Sequence, residues 1–339
     1  MENKTSKTVY FFGAGASFAS DFNLPMMKGF FRKEDFNSSN FSNLYKFIQE
    51  HFPNQQLSEL NLEKVITFLE LSIDKFGSFG EHPEVYLYEA KKEFDKYVNS
   101  RLKITAPEGC NKHTKIIKPL ADKNSKDTIV TLNYDLVIDN TLYKLSPKKK
   151  DTRLLMEDDC LLNRMYDLLG RVLTIEAELP SLYHQHLNLG FYLKLHGSID
   201  WLYCQNPACG NHQLFFPNRK GRPSNLSGDL CNLCGSPLID VIIPPTMHKS
   251  FENFPKSGLL WSLAYRELKQ ADKIVLIGIS LAESDYYLQW LITSSLRNSG
   301  NKTIEVVNND QQVCEKLKRL TGINPIYKGD FDTYASSIN

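Results

Sequence analysis

The sequence predicts an α/β protein built on a doubly wound, Rossmann-like parallel sheet of about six strands, with a helical insertion and a small module organised by four cysteines. Three observations predict it. Six short apolar runs rich in Val and Ile read as strands buried on both faces: Thr8 to Phe12, Thr128 to Leu132, Tyr192 to Leu195, Asp240 to Ile243, Lys273 to Ile277 and Thr303 to Val307. Segments such as Gly258 to Gln270 and Ser284 to Arg297 carry apolar residues at helical spacing and are long enough for crossovers. Five of the six runs lead directly into a Gly, Asn, His or Ser motif, and doubly wound sheets bind ligands outside the carboxyl ends of their strands.

The first run ends in Gly13-Ala14-Gly15-Ala16-Ser17. Gly13 and Gly15 permit a tight turn and let a pyrophosphate approach the backbone, while Ser17 is placed to cap the helix that follows. The fragment is shorter than a full G-x-G-x-x-G, so a plain strand-to-helix turn also explains it in isolation. Residues 23–125 read as a helical insertion, with helical stretches over Leu62 to Phe76 and Val85 to Val98. The second run ends in Thr131-Leu132-Asn133-Tyr134-Asp135, where Asn133 suits either the positioning of a water or a strand-closing turn, and Asp135 suits a helix cap. Residues 140–190 form a further helical elaboration, helix-like from Asp158 to Leu173 and broken at Leu179-Pro180. The third run ends in Lys194-Leu195-His196-Gly197-Ser198; a neutral histidine there can deprotonate a hydroxyl or a water, or sit satisfied in a loop. The last two runs end in Gly278-Ile279-Ser280 and Val307-Asn308-Asn309-Asp310. Residues 1–22, 126–199 and 239–339 make the core sheet, and no Pro-rich, Gly-rich or repetitive linker separates the insertions from it as independent domains.

Of seven cysteines, Cys110, Cys160 and Cys314 are scattered, and an odd count argues against a disulfide framework. The other four form two pairs, Cys204-x4-Cys209 and Cys231-x2-Cys234, with 21 residues between. Two short-spaced thiolate pairs can close a tetrahedron around one structural Zn2+ with no open position, so this ion should hold residues 200–238 together without doing chemistry. Gly210 and Gly235 follow the second cysteine of each pair, where a turn with φ > 0 lets backbone N–H groups point at sulfur.

Forty basic residues against 39 acidic ones leave a formal charge of +1, which gives no broad surface for nucleic acid, and Lys148-Lys149-Lys150 reads as a solvated loop. No apolar stretch approaches the roughly 20 residues that span a bilayer. The first strand begins within ten residues of Met1, which leaves no room for a signal peptide. A cytoplasmic protein is expected.

Taken together and in order, the Gly13 to Ser17, Thr131 to Asp135 and Lys194 to Ser198 motifs, the four cysteines, Gly278 to Ser280 and Val307 to Asp310 resemble the sirtuin family, whose sheet binds NAD and breaks its bond to nicotinamide. The resemblance implies NAD+ as substrate. It places Asn133 by the nicotinamide ribose, Asp135 at the carboxamide, His196 as base toward the ribose hydroxyls, and Gly278, Ser280 and Asn308 around the adenosine. Glu283 and Asp285 serve either there or as capping residues. Nicotinamide leaves NAD+ without protonation, so the site must stabilise an oxocarbenium-like centre and place a nucleophile.

The chain departs from the acyl-lysine deacylases of that family at two points. Their first loop runs Gly-Ile-Pro-Asp-Phe-Arg, against Asn23-Leu24-Pro25-Met26-Met27-Lys28. Their Phe-Gly-Glu, which leads into the strand that pairs with the substrate peptide, is replaced by Ile243-Pro244-Pro245-Thr246, and two prolines remove backbone donors from such pairing. Water then becomes the natural nucleophile, and the pattern looks like the sirtuin-like NAD hydrolases of bacterial antiphage defence. The expected activity is NAD+ glycohydrolysis to nicotinamide and ADP-ribose, switched on by an activating partner protein or by homo-oligomer formation. An NAD-dependent deacylase or ADP-ribosyltransferase, and a non-catalytic module that senses NAD or ADP-ribose, are the alternatives.

Overall fold

The computed structural model describes residues 6–37, 39–78, 84–104, 110–121, 127–145, 190–209, 214–215, 230–231, 233–243, 257–282, 285–297 and 302–338. Its strands are β1 (Thr8–Phe12), β2 (Thr128–Thr131), β3 (Tyr192–Lys194), β4 (Gly197–Cys204), β5 (Leu214–Phe215), β6 (Leu238–Ile242), β7 (Lys273–Ile277), β8 (Thr303–Val307) and β9 (Ile326–Tyr327). Six of them form one parallel sheet in the order β3-β2-β1-β7-β8-β9. The chain steps outward from β1 to β3, returns to β7 on the other side of β1, and steps outward again. The switch point of a doubly wound fold therefore lies between β1 and β7. Helices cover both faces, so Val9, Phe11, Ile129, Val130, Leu193, Val275 and Val306 are all buried, as continuous Val and Ile runs require.

The register decides where the motifs meet. Phe12 pairs with both Thr131 and Ile277, Thr131 with Lys194, and Ile277 with Val307. Five strands thus end level, and the motif residues that follow them emerge along one edge.

One of the six sequence-predicted strands lies elsewhere. Asp240 to Ile243 falls on β6, which joins β4 and β5 in a separate antiparallel sheet of order β5-β4-β6. It is also the one run of the six that leads into no motif. The sixth parallel strand is instead β9, a two-residue edge strand too short to show an apolar run. β4 starts directly after His196, and its first residue, Gly197, has φ 80; a Cβ there would sit 1.9 Å from the Val241 carbonyl oxygen. Only glycine allows the chain to leave the parallel sheet and pair with β6 at that point.

The helices are α1 (Ala14–Phe18), α2 (Ser42–His51), α3 (Leu62–Ser78), α4 (Val85–Leu102), α5 (Asn111–Ile117), α6 (Val137–Lys144), α7 (Ser257–Gln270), α8 (Tyr286–Leu296), α9 (Gln312–Thr321) and α10 (Phe331–Ser337). α3, α4, α7 and α8 occur where helical spacing predicts them; the segment from Asp158 to Leu173 lies outside the described residues. Leu260, Trp261, Leu263, Ala264 and Leu268 bury one stripe of α7, and Asp285 caps α8 by accepting from the Leu288 N–H at 3.1 Å. No helix among the described residues is long and apolar enough to cross a membrane.

α2, α3 and α4 enclose a second hydrophobic core around Phe30, Phe31, Phe47, Leu69, Phe94 and Tyr97. Tyr97 organises it, stacking on Phe31 at 5.5 Å and donating from its hydroxyl to Asp35 at 2.8 Å. Tyr134, from the loop after β2, and Ile199, from β4, belong to this core. The motif loops are therefore packed between the sheet and the helical segment.

Candidate functional site

A cavity of about 550 Å³ opens at the carboxyl ends of the parallel strands, on the switch point. This lies within the range of roughly 300–1,000 Å³ typical of small-molecule sites. One wall is Gly13, Ala14 and Gly15 after β1, Asn133 after β2 and His196 after β3; another is Gly278, Ile279 and Ser280 after β7, with Asn308 after β8. Met26, Met27, Lys28, Asn61 and Glu63 close it from the helical side, where Lys28 and Asn61 pair as an isolated antiparallel bridge. Lys28 is the one lysine or arginine among the described lining residues.

Close backbone packing explains the glycines. The Gly15 N–H donates to the Gly278 carbonyl at 3.0 Å, and the Gly13 N–H to the Ile277 carbonyl at 2.8 Å. A Cβ on Gly13 would lie 2.7 Å from the Gly278 oxygen, and one on Gly278, where φ is 64, would lie 2.2 Å from the Ala16 nitrogen. The two loops interlock, so these glycines serve the loop-to-loop contact before any ligand arrives. Leu281, buried on the same wall, holds φ 49, a left-handed conformation that costs a branched residue on the order of 1 kcal/mol or more.

Asn133 joins the loops. Its Nδ2 donates to the Gly13 carbonyl at 2.9 Å and to Ser17 Oγ at 2.8 Å, using both amide protons. That leaves Oδ1 as the side-chain atom able to accept from a ribose hydroxyl or a water. Ser17 is not the cap expected of it. Gly13 occupies the N-cap of α1, and Ser17 is buried inside the helix, where its hydroxyl receives Asn133 and hydrogen-bonds Asp135. Asp135 also accepts from the Val137 N–H at 3.0 Å at the start of α6, and burial pushes its pKa up from the usual carboxylate value against the pull of Lys194. Neither Ser17 nor Asp135 is among the residues lining the cavity.

His196 lines the cavity while 98% of its surface is buried, given a relative exposure of 2%. Its ring centroid lies 6.0 Å from that of Tyr134 and 6.0 Å from that of Trp261 of α7, and its carbonyl accepts from the Ile243 N–H at 2.8 Å. Two aromatic neighbours and a backbone bond fix the ring at the end of β3.

On the β8 side, Asn308 ties its loop to the Gly278 loop by donating from Nδ2 to the Ile279 carbonyl at 2.8 Å, and its Oδ1 accepts from the Asp310 N–H at 3.0 Å. Ser280 is exposed at the rim. Asp285 lines the cavity and caps α8, so the capping role suggested by its position is real; Glu283 lies outside the described residues.

The four cysteines meet. Their sulfurs all lie within 4.8 Å of one another, with Cys204 and Cys234 at 3.6 Å and Cys209 and Cys231 at 3.7 Å. Gly235 has φ 70, as expected, and the Cys234 and Leu233 N–H groups hydrogen-bond Cys231, holding its thiol below the usual range. Hydrogen bonds from Ser236 hold Cys234 at about 6, while burial pushes Cys204 up to about 12. A donor set of four sulfurs at these separations, two of them eased toward thiolate, fits a closed zinc tetrahedron. Gly210 lies outside the described residues.

No family model matches the chain, and no curated protein matches it. Similar solved structures include a Sir2 homolog–NAD complex, with TM-score 0.48 and 14% identity over 98% of this chain and 87% of that one. Sir2Tm bound to a propionylated peptide gives TM-score 0.47 and 12% identity over 98% and 91%. A Sir2 homologue mutant in complex with 2'-O-acetyl ADP ribose gives 0.48 and 14% over 98% and 88%.

Several residues of the site are not singled out by sequence reasoning. Thr131, whose Oγ1 accepts from the Asn133 N–H at 3.1 Å, and Lys194, buried beneath the loops, both stand inside quoted motifs. Asn61, Glu63 and Phe331 reach the cavity from distant segments and carry no local signal.

Proposed function

We propose that this chain is an NAD+ glycohydrolase that releases nicotinamide and ADP-ribose. The observation that carries the reading is the joint presence of Asn133 and His196 on the wall of one cavity, between the glycine loops after β1 and β7 and Asn308 after β8. These positions match, residue by residue, the motif resemblance to the sirtuin family.

The chemistry asks little of acid groups. The bond between ribose C1' and the nicotinamide nitrogen breaks with its electron pair going to nicotinamide, which leaves neutral. The oxygen of a water bonds to C1', and its proton passes to His196 as general base. Asn133 Oδ1 orients the water or a ribose hydroxyl, since both protons of its amide are spent on Gly13 and Ser17, and as a neutral amide it does not compete with His196 as a base. The buried Asp135 acts through Ser17 on the placement of Asn133. In the same reading the four-cysteine cluster holds one structural Zn2+, the protein is cytoplasmic, and it is an NAD-depleting effector of antiphage defence controlled by a partner protein or by self-assembly.

Incubating the full chain with NAD+, with and without an acetyl-lysine peptide, and quantifying nicotinamide, ADP-ribose and peptide tests this. Nicotinamide and ADP-ribose should appear in equal amounts at a rate the peptide does not change. One deacetylated peptide per nicotinamide would establish a deacylase instead. Tight ADP-ribose binding without turnover would establish a sensor.

A further inference from the structure

Beneath the cavity, one chain of hydrogen bonds connects three of the loops that form its wall. It starts at Lys194, whose side chain is fully buried, a state lysine almost never adopts without partners. Its Nζ donates to the backbone oxygen of Asp135 at 2.6 Å and to Asp139 Oδ2 at 3.0 Å. The Tyr192 hydroxyl donates to the same Asp139 oxygen at 2.8 Å. From Asp135 the chain continues through the Ser17 hydroxyl to Asn133 Nδ2, and from there to the Gly13 carbonyl.

Lys194 is the last residue of β3, two residues before His196, whereas Asp135 belongs to the loop that carries Asn133. The ammonium therefore ties the histidine strand to the asparagine loop at the point where both leave the sheet. Packing alone does not call for a charge here. An apolar side chain of similar length fills such a space without the cost of taking an ammonium and a carboxylate out of water. What the ammonium adds is directed donors, one of them spent on the carbonyl of the neighbouring loop.

We infer that Lys194, neutralised by Asp139 and steadied through it by Tyr192, is a positioning residue that sets Asn133 against His196 and, through Ser17, against the Gly13 loop. Its kinetic consequence rests on the glycohydrolase reading; its structural consequence does not. A displacement of reacting groups by about 1 Å can cost roughly 10²-fold in rate.

The test compares Lys194→Met with Leu193→Ala, which truncates a buried residue of the same strand that makes no part of this chain, and adds Asn133→Ala and the Lys194→Met/Asn133→Ala double variant. For the first pair, kcat and KM for NAD+ are measured per folded molecule. The expected result is a kcat about 10²-fold lower for Lys194→Met with KM within about twofold, and a kcat near wild type for Leu193→Ala. Equal kcat in the two variants would reduce Lys194 to a structural residue and overturn the inference. Thermal midpoints of all the variants form a cycle that needs no activity. If one continuous chain links Lys194 to Asn133, the double variant should lose clearly less than the sum of the single losses; additive losses overturn the inference. A wild-type protein that released no nicotinamide would sink the hydrolase reading, and the midpoint cycle would still decide the brace. Should Lys194→Met not fold, Tyr192→Phe, which removes one hydroxyl, takes its place with an expected few-fold fall in kcat at unchanged KM.

Discussion

The four-cysteine cluster and the cavity at the sheet end are built in opposite ways. Cys204 and Cys234 are 30 residues apart, and Cys209 and Cys231 are 22 apart, so one short module brings all four sulfurs together. In the cavity wall Asn133 bonds Gly13 across 120 residues, and Asn308 bonds Ile279 across 29 from another strand end. The cluster depends on local spacing and on thiolate chemistry. The cavity depends on strand register, because five strands must end level before their loops can touch. A local cluster can be read from ligand type and spacing alone, whereas a site assembled by a sheet becomes visible only when several motifs are read in order.

One strand joins the two regions: β4 begins beside His196 at Gly197 and ends at Cys204. The largest expected effect follows from it. Structural zinc contributes on the order of 10 kcal/mol of apparent folding free energy in small domains. Cys231→Ser should therefore sharply lower soluble yield, and wild-type protein should carry one zinc per chain by elemental analysis. Chelation should weaken ADP-ribose binding as well, because the strand behind His196 loses its anchor. Fully folded protein without zinc would break the first half of the comparison; unchanged ADP-ribose affinity after zinc removal would show that the two regions are independent.

A smaller effect separates glycines that build the cavity from one that only ends a helix. Gly278→Ala adds a Cβ 2.2 Å from the Ala16 nitrogen at φ 64, and Gly322→Ala adds one at φ 74 with nothing within 4 Å. A left-handed residue with a Cβ costs about 1–2 kcal/mol. Urea denaturation should show about that loss for Gly322→Ala and a clearly larger one for Gly278→Ala, with weaker NAD+ binding only in the latter. Gly13→Val should likewise lose both stability and binding. Equal losses at the two positions would refute the interlocked loops.

Titration gives the smallest expected effect and separates the sheet from the helical segment. His113 of α5 is buried with no hydrogen-bond partner for either ring nitrogen among the described residues, stacked on Phe12 at 5.6 Å and against Phe331 of the cavity wall at 4.9 Å. Burial holds its pKa at about 3. An unfolded histidine titrates near 6.5, so the unfolded chain binds the extra proton and stability should fall as pH drops from about 6.5 toward 3. His113→Leu should flatten that slope. Glu70 of α3 and Asp240 of β6 are raised by burial to about 7 and about 6, so the stability linked to their protonated forms is lost as pH rises through those values. Glu70→Gln should reduce the loss toward neutral pH and leave the acid limb unchanged. Urea midpoints against pH would read both slopes, and a His113→Leu variant with the wild-type acid slope would remove His113 from the account.

What the sequence made legible follows the same division. The strand runs, the helical insertion, the cysteine set and the five loop motifs were all readable, because continuous Val and Ile, 3.6-residue spacing and ligand spacing are local properties. β9 was not, since a two-residue edge strand buries too little to leave an apolar run, and the run from Asp240 to Ile243 looks like a core strand although it pairs with β4. The motif residues Asn133 and His196 were legible as candidates, but the commitment of the Asn133 amide to Gly13 and Ser17, and the exclusion of Ser17 and Asp135 from the cavity lining, depend on how loops pack. Lys194 was in plain view inside a motif, and nothing in its neighbours announces that it is buried.

In the proposed glycohydrolase, Asn133 and His196 act on NAD+ in the transition state and not in holding it. Steady-state kinetics of NAD+ consumption together with ADP-ribose affinity, for wild type, Asn133→Ala and His196→Ala, test it most directly. Both variants should show a kcat lower by about 10²- to 10⁴-fold with ADP-ribose affinity close to wild type, His196→Ala keeping a thermal midpoint near wild type while Asn133→Ala loses the stability of its two buried hydrogen bonds. His196→Ala protein that consumes NAD+ at the wild-type rate would contradict it.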